Sequence, residues 1–215
     1  MAPAISGPYV DALRREILRS EQKRMRAVAV ILTILLLVLL SSFVLLPGLR
    51  QRLFPHGISL WTPIAAVGPF ILVEVAVLGV IRWRIAADKD FPPPARFVNA
   101  LVETSLPAVV ILVLARHMEP HYVLGFWPPL LYFVFIVLST LRLDFWLSLW
   151  TGLVAAVEQA ALSWWLLPVD SDRVDQTIYY HLSRSVILLL AGVVAGVVAQ
   201  SLRPVRERGG GGRGA

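Results

Sequence analysis

The chain has 215 residues, of which 57% are apolar and 16% charged, with a mean hydropathy of +0.72 and a formal charge of +6. It has no cysteine, so disulfides, thiolate metal sites and cysteine catalysis are excluded. The apolar residues fall in six long runs, at about 26–46, 60–81, 98–116, 124–140, 145–167 and 182–202, which a water-soluble domain of this length could not hide.

A helix rises about 1.5 Å per residue, so roughly 20 residues match a hydrocarbon core about 30 Å thick. The fold class predicted is therefore all-α: a polytopic membrane protein, a six-transmembrane-helix bundle with both termini cytoplasmic. Its predicted parts are a basic amphipathic leader at 1–25, the membrane domain at 26–202 and a disordered glycine-rich tail at 203–215. The leader is charged and the first run exceeds a typical signal core, so the first span is expected to stay in place.

Residues 11–25 show helical spacing, with Leu13, Ile17 and Leu18 on one side and Arg14, Arg15, Arg19, Lys23 and Arg24 distributed around it. Span one is uniformly apolar and is ended by Pro47 and Gly48, with an outer loop at 49–59. Span two holds Pro63, Gly68, Pro69 and Glu74, and its prolines predict a kink inside the bundle. A stiff turn with Pro92, Pro93 and Pro94 leads to span three, which holds Glu103, Thr104, Ser105 and Pro107.

Span four opens on Phe126, Trp127, Pro128 and Pro129 and turns tightly at 141–144 into span five, which contains Glu158 and Gln159. Trp146 near one edge of span five and Trp164 and Trp165 near the other fit interfacial aromatic belts. Span six carries Gly192 and Gly196, a small-xxx-small pattern expected to mark close helix packing.

The basic residues are distributed unevenly about these spans. Fifteen of the 20 lie in the leader, the even-numbered connections and the tail, and the remaining five (Arg50, Arg52, Arg116, Arg173 and Arg184) flank the other side. That bias places both ends inside. Arginines stacked at a membrane edge read as headgroup anchors, so no nucleic-acid partner is expected.

Three carboxylates fall within spans: Glu74, Glu103 and Glu158. A charge facing hydrocarbon is costly, so each should face the bundle, a wet cavity or a partner. Glu74 and Glu103 fall toward the inner third of consecutive antiparallel spans, where they could share a proton or an ion. The plainer alternative is that all three are packing groups that fix helix rotation. The histidines (His56, His117, His121 and His181) all fall at the predicted outer surface. With Glu119, His117, His121 and His181 are weak candidates for a metal; His56 joins the glutamates as a ligand or signalling candidate. No metal is assigned, no cofactor is expected, and no nucleophile is paired with a base.

The segments LRREILRSE at 13–21, FPPPARFVNALVETS at 91–105, GFWPPLLY at 125–132 and STLRLDF at 139–145 resemble the N-terminal six-span region of bacterial class III adenylate/guanylate cyclases. The resemblance covers about residues 13–203. It implies a membrane anchor and sensory or regulatory module in the bacterial inner membrane, working as a homodimer with a cytoplasmic cyclase domain. No position here inherits a cyclase catalytic role, because after Arg203 the sequence passes into glycine. The expectation is thus a sensory anchor that takes a small ligand or ion at its outer face. The alternative is a small ion- or proton-coupled transporter or channel using the intramembrane glutamates.

Overall fold

A computed structural model describes residues 8–54, 57–87, 92–167 and 174–210, and every regular element among them is helical. In chain order these are α1 (Pro8–Leu45), α2 (Pro47–Leu53), α3 (Trp61–Ala86), α4 (Pro93–Thr104), α5 (Leu106–Leu114) and α6 (Pro120–Gly125). A 3-10 turn (Pro128–Leu130), α7 (Leu131–Ser139), a second 3-10 turn (Thr140–Arg142), α8 (Phe145–Leu166) and α9 (Val174–Gly210) complete the order. The result is an all-α, multi-pass, membrane-type bundle.

Five segments are long and apolar enough to cross a membrane: Glu21–Leu45, Trp61–Arg84, Pro94–Leu114, Phe145–Leu166 and Tyr179–Leu202. The expected fourth span is different. Its apolar part, Pro128–Arg142, is short and is cut into 3-10, α and 3-10 pieces. Pro128 and Pro129 supply the reason, since neither can donate a backbone N–H to a preceding turn.

Other boundaries also move. The leader and the first span are one unbroken 38-residue helix, α1. Pro47 does not open a loop but sits at the start of α2, where a missing N–H costs nothing. Span two keeps a continuous helical assignment through Pro69. Span six begins earlier and ends later than predicted, since α9 runs from Val174 to Gly210 and so extends into the stretch expected to be disordered.

Span three is interrupted. Pro107 has no N–H for the carbonyl of residue 103, and its ring crowds that carbonyl, so the helix breaks between α4 and α5. Ser105 bridges the break with its N–H on Leu101 O at 2.9 Å.

The turn into α8 is tight because Leu143 adopts the left-handed conformation, with φ of 53°. Asp144 then caps α8, its Oδ1 accepting from the N–H groups of Trp146 at 2.9 Å and Leu147 at 3.3 Å.

The most intimate helix contact is between α8 and α9. A Cβ built on Gly152 would stand 2.5 Å from Gly192 Cα, and one built on Gly192 would stand 2.6 Å from Gly152 Cα. Gly196 is filled from the other side by the ring of Phe145. Both glycines of the small-residue pattern therefore pack against α8 of the same chain. Around this seam the core is aliphatic and aromatic, with Val67, Leu106, Ile111, Leu124, Tyr132 and Ala155 fully buried.

Gly192→Leu is expected to lower the thermal melting point in detergent, because the opposing atoms are backbone and cannot swing aside; overpacking of this kind costs about 1–3 kcal/mol. Gly79→Ala, where an added Cβ meets nothing within 4 Å, should leave melting unchanged.

Candidate functional site: buried glutamates around a broken helix

The three intramembrane carboxylates lie on three elements, and the break in span three lies between two of the groups that hold them. Glu103, in the last turn of α4, is 5% exposed. Its carboxylate accepts a two-pronged contact from Arg24, Nη1 to Oε2 at 2.6 Å and Nη2 to Oε1 at 2.8 Å. Arg142 Nη2 adds a third bond at 3.2 Å, and Asn99 Nδ2, one turn back on α4, donates to Oε1. Planar guanidinium matches planar carboxylate, so such a fork fixes orientation as well as charge.

The partners come from distant parts of the chain. Arg24 is in α1 and is 2% exposed; Arg142 closes the 3-10 turn before α8. Glu21, one turn before Arg24, accepts from Arg24 Nε at 3.1 Å and from Arg96 Nη2 at 3.1 Å. Arg96 also approaches Asp144 Oδ2 at 3.9 Å, and Arg142 Nη1 donates to Arg96 O at 3.4 Å. One electrostatic knot thus joins α1, α4 and the α7–α8 turn.

Glu74 of α3 completes this knot. It is 2% exposed and lies beside the Glu103 side chain, and its Oε2 has no hydrogen-bond partner. Two neighbouring carboxyl groups in a buried place favour one proton between them. The charge count agrees: Arg24, Arg96 and Arg142 balance Glu21, Glu103 and Asp144, leaving Glu74 as the group that closes the set when it carries a proton.

Glu158 forms a second site deeper in α8. Its Oε1 lies 2.5 Å from Ser105 Oγ, and its Oε2 accepts from the Tyr132 hydroxyl at 3.1 Å. Ser105 Oγ is also 2.9 Å from Leu101 O. One hydroxyl hydrogen cannot serve both acceptors, so the arrangement is complete only when the carboxyl carries a proton. Beside it, Gln159 is fully buried and turned toward Ser163, with Nε2 to Ser163 Oγ at 3.3 Å.

The expected outer histidine surface does not assemble. His56 lies outside the described residues. His117 is half-buried in the turn after α5, Glu119 precedes α6 and is exposed, and His121 lies in α6. His181 is no surface residue at all: it is 2% exposed within α9, with its ring against Tyr180 at 5.0 Å. Among the described residues no group of three or more His, Cys, Asp or Glu side chains is placed to hold a metal ion.

In the sequence Arg24, Arg96 and Arg142 read as flanking charges; the structure makes Arg24 and Arg142 partners of Glu103, and Arg96 a partner of Glu21. A signal existed: Glu21, Arg24, Met25, Val28 and Leu32 form one helical stripe, and all five are buried. No protein-family model, curated protein or solved structure matches this chain.

Removing one partner from a buried ion pair strands the other, at a cost of about 3–5 kcal/mol. Arg24→Ala is expected to lower thermal stability in detergent severely. Arg24→Met combined with Glu103→Gln should recover part of the loss, because the stranded carboxylate is then gone and an amide oxygen still accepts from Arg142. A double variant no more stable than the single one would show that the pair is not an independent unit.

Proposed function

We propose that this chain is a small proton- or ion-coupled membrane protein whose working parts are the intramembrane glutamates. The observation that carries this reading is the interrupted span three. Glu103, on one side of the break, lies beside Glu74, and Ser105, at the break itself, binds Glu158. Two proton-holding sites at different depths are thereby brought to the same discontinuity. Interrupted helices inside a bundle are where transporters place ion and proton sites; here Pro107 deprives the carbonyl of residue 103 of its helical N–H, while Ser105 keeps a helical conformation. The unpartnered Oε2 of Glu74 leaves one acceptor of the inner site unsatisfied, where a proton can reside.

A chain reconstituted in proteoliposomes with a pH-sensitive dye inside is expected to pass protons under an imposed gradient. Glu74→Gln and Glu158→Gln should each lower the rate at least tenfold. A wild-type rate equal to that of protein-free vesicles would defeat the transport reading.

A second reading, the sensory anchor implied by the cyclase resemblance, is favoured by a separate observation. Arg24 belongs to the same unbroken helix as the leader, so a change in charge at Glu103 would be felt along residues 8–23. In this reading the bundle sits in a bacterial inner membrane and crosses it six times, with 120–142 as the shortened fourth crossing. Both ends lie in the cytoplasm, as the distribution of basic residues suggests. The module pairs with a second copy and passes signal to a cytoplasmic cyclase or similar domain. Spin labels at Lys23 of full-length chains in lipid should then change their separation in Glu103→Gln, with no proton flux in either protein. An unchanged distance distribution would count against it.

A further inference from the structure

At the end of the bundle opposite the arginine knot, a cavity of about 140 Å³ lies between α1, α3, α5 and the segment after α6. Phe54, Ala66, Val67 and Val110 are buried and close its floor. Its rim is half-buried and includes Phe43 and Trp127. The hydroxyl groups on its wall are those of Ser42 and Thr62, and Ser42 already donates to Leu39 O at 2.8 Å.

The physical chemistry of such a space selects its guest. A buried water needs two to four polar partners, and an apolar cavity of about 150 Å³ stays dry yet accepts a guest the size of benzene. Neither an ion nor a polar metabolite finds compensation against Phe43, Phe54, Val67 and Val110. The surroundings add a direction. Val44, Leu45 and Trp61, which flank the rim in sequence, are among the most exposed apolar residues of the chain, at 64%, 74% and 73%. In a membrane that surface meets acyl chains. A guest can therefore enter sideways from lipid, with its polar head left near the Thr62 hydroxyl and the Trp127 indole.

We propose that this cavity is a binding site for an unbranched aliphatic chain, inserted tail-first from the surrounding leaflet. The site is separate from the glutamate cluster, since Glu74, Glu103 and Glu158 are not among the residues that line it. The tail belongs either to a bilayer phospholipid or to a free single-chain amphiphile, and the two sources are separable by experiment.

The full chain in lipid nanodiscs is photolabelled with a long-chain alcohol carrying a diazirine near the end of its tail. In parallel it is labelled with a phospholipid carrying the same group on one acyl chain, and modified residues are mapped by mass spectrometry. Label is expected on Val67, Val110 and Phe126 at several times the level found at Val30 and Leu37, which face outward on α1. Ala66→Phe or, independently, Val110→Phe should fill the space and remove that excess at least fivefold while labelling of Val30 and Leu37 persists. An excess from the alcohol that unlabelled alcohol competes away identifies a free amphiphile; an excess from the phospholipid alone identifies bilayer lipid. Equal labelling of cavity and outward positions in the wild-type protein overturns the proposal. So does an excess that survives in cavity-filled variants that melt at the wild-type temperature.

Discussion

The Glu103 carboxylate, gripped by Arg24 and Arg142, is the constraint on which the rest of this bundle depends. It is the point where α1, α4 and the turn into α8 are fastened together. In hydrocarbon there is no hydrophobic force between apolar helices, because lipid tails are as apolar as leucine. The aliphatic faces of α1 and α3 therefore do little to choose one arrangement over another. A carboxylate that must find its guanidinium, in a medium offering no water as a substitute, chooses for them.

The α8–α9 seam works by the opposite means. There the selection is steric: Gly152 and Gly192 let two backbones meet at a distance no side chain permits. The two devices sit in different parts of the molecule, an ionic one joining α1 and α4 to the start of α8 and a contact one joining α8 to α9. Trp150, whose Nε1 donates to Phe97 O at 3.2 Å, ties α8 back to α4 between them. The proline-broken span three is held from both sides, and this explains how it keeps its place without a continuous helical ladder.

Much of this was legible in the amino-acid order. Long apolar runs gave the helical, membrane-type class, because length and hydropathy alone decide whether a helix can sit in lipid. Glu74, Glu103 and Glu158 stood out because a carboxyl group in such a run needs a partner, and the juxtaposition of Glu74 with Glu103 followed from counting along antiparallel helices. The partners were harder to see. Arg24 and Arg142 lie at the margins of their runs, where a guanidinium serves equally well as a headgroup anchor or as a buried counter-charge. Only the packing angle of α1 decides between these roles. His181 was misplaced for a similar reason: α9 starts earlier than the apolar run does, which brings that ring inside the bundle. Span four is shorter and more broken than its apolarity suggests, since apolarity reports burial and says nothing of the backbone hydrogen bonds that Pro128 and Pro129 remove.

The length of α1 has a mechanical consequence. A single helix from Pro8 to Leu45 has no joint at the point where Arg24 clamps it. About 24 Å of rod extends on one side and about 32 Å on the other at 1.5 Å per residue. Val28 and Leu32, buried on the same stripe as Arg24, hold the rod beyond the clamp as well. The leader and the first span thus share one stiff backbone, so neither can be re-aimed without the other.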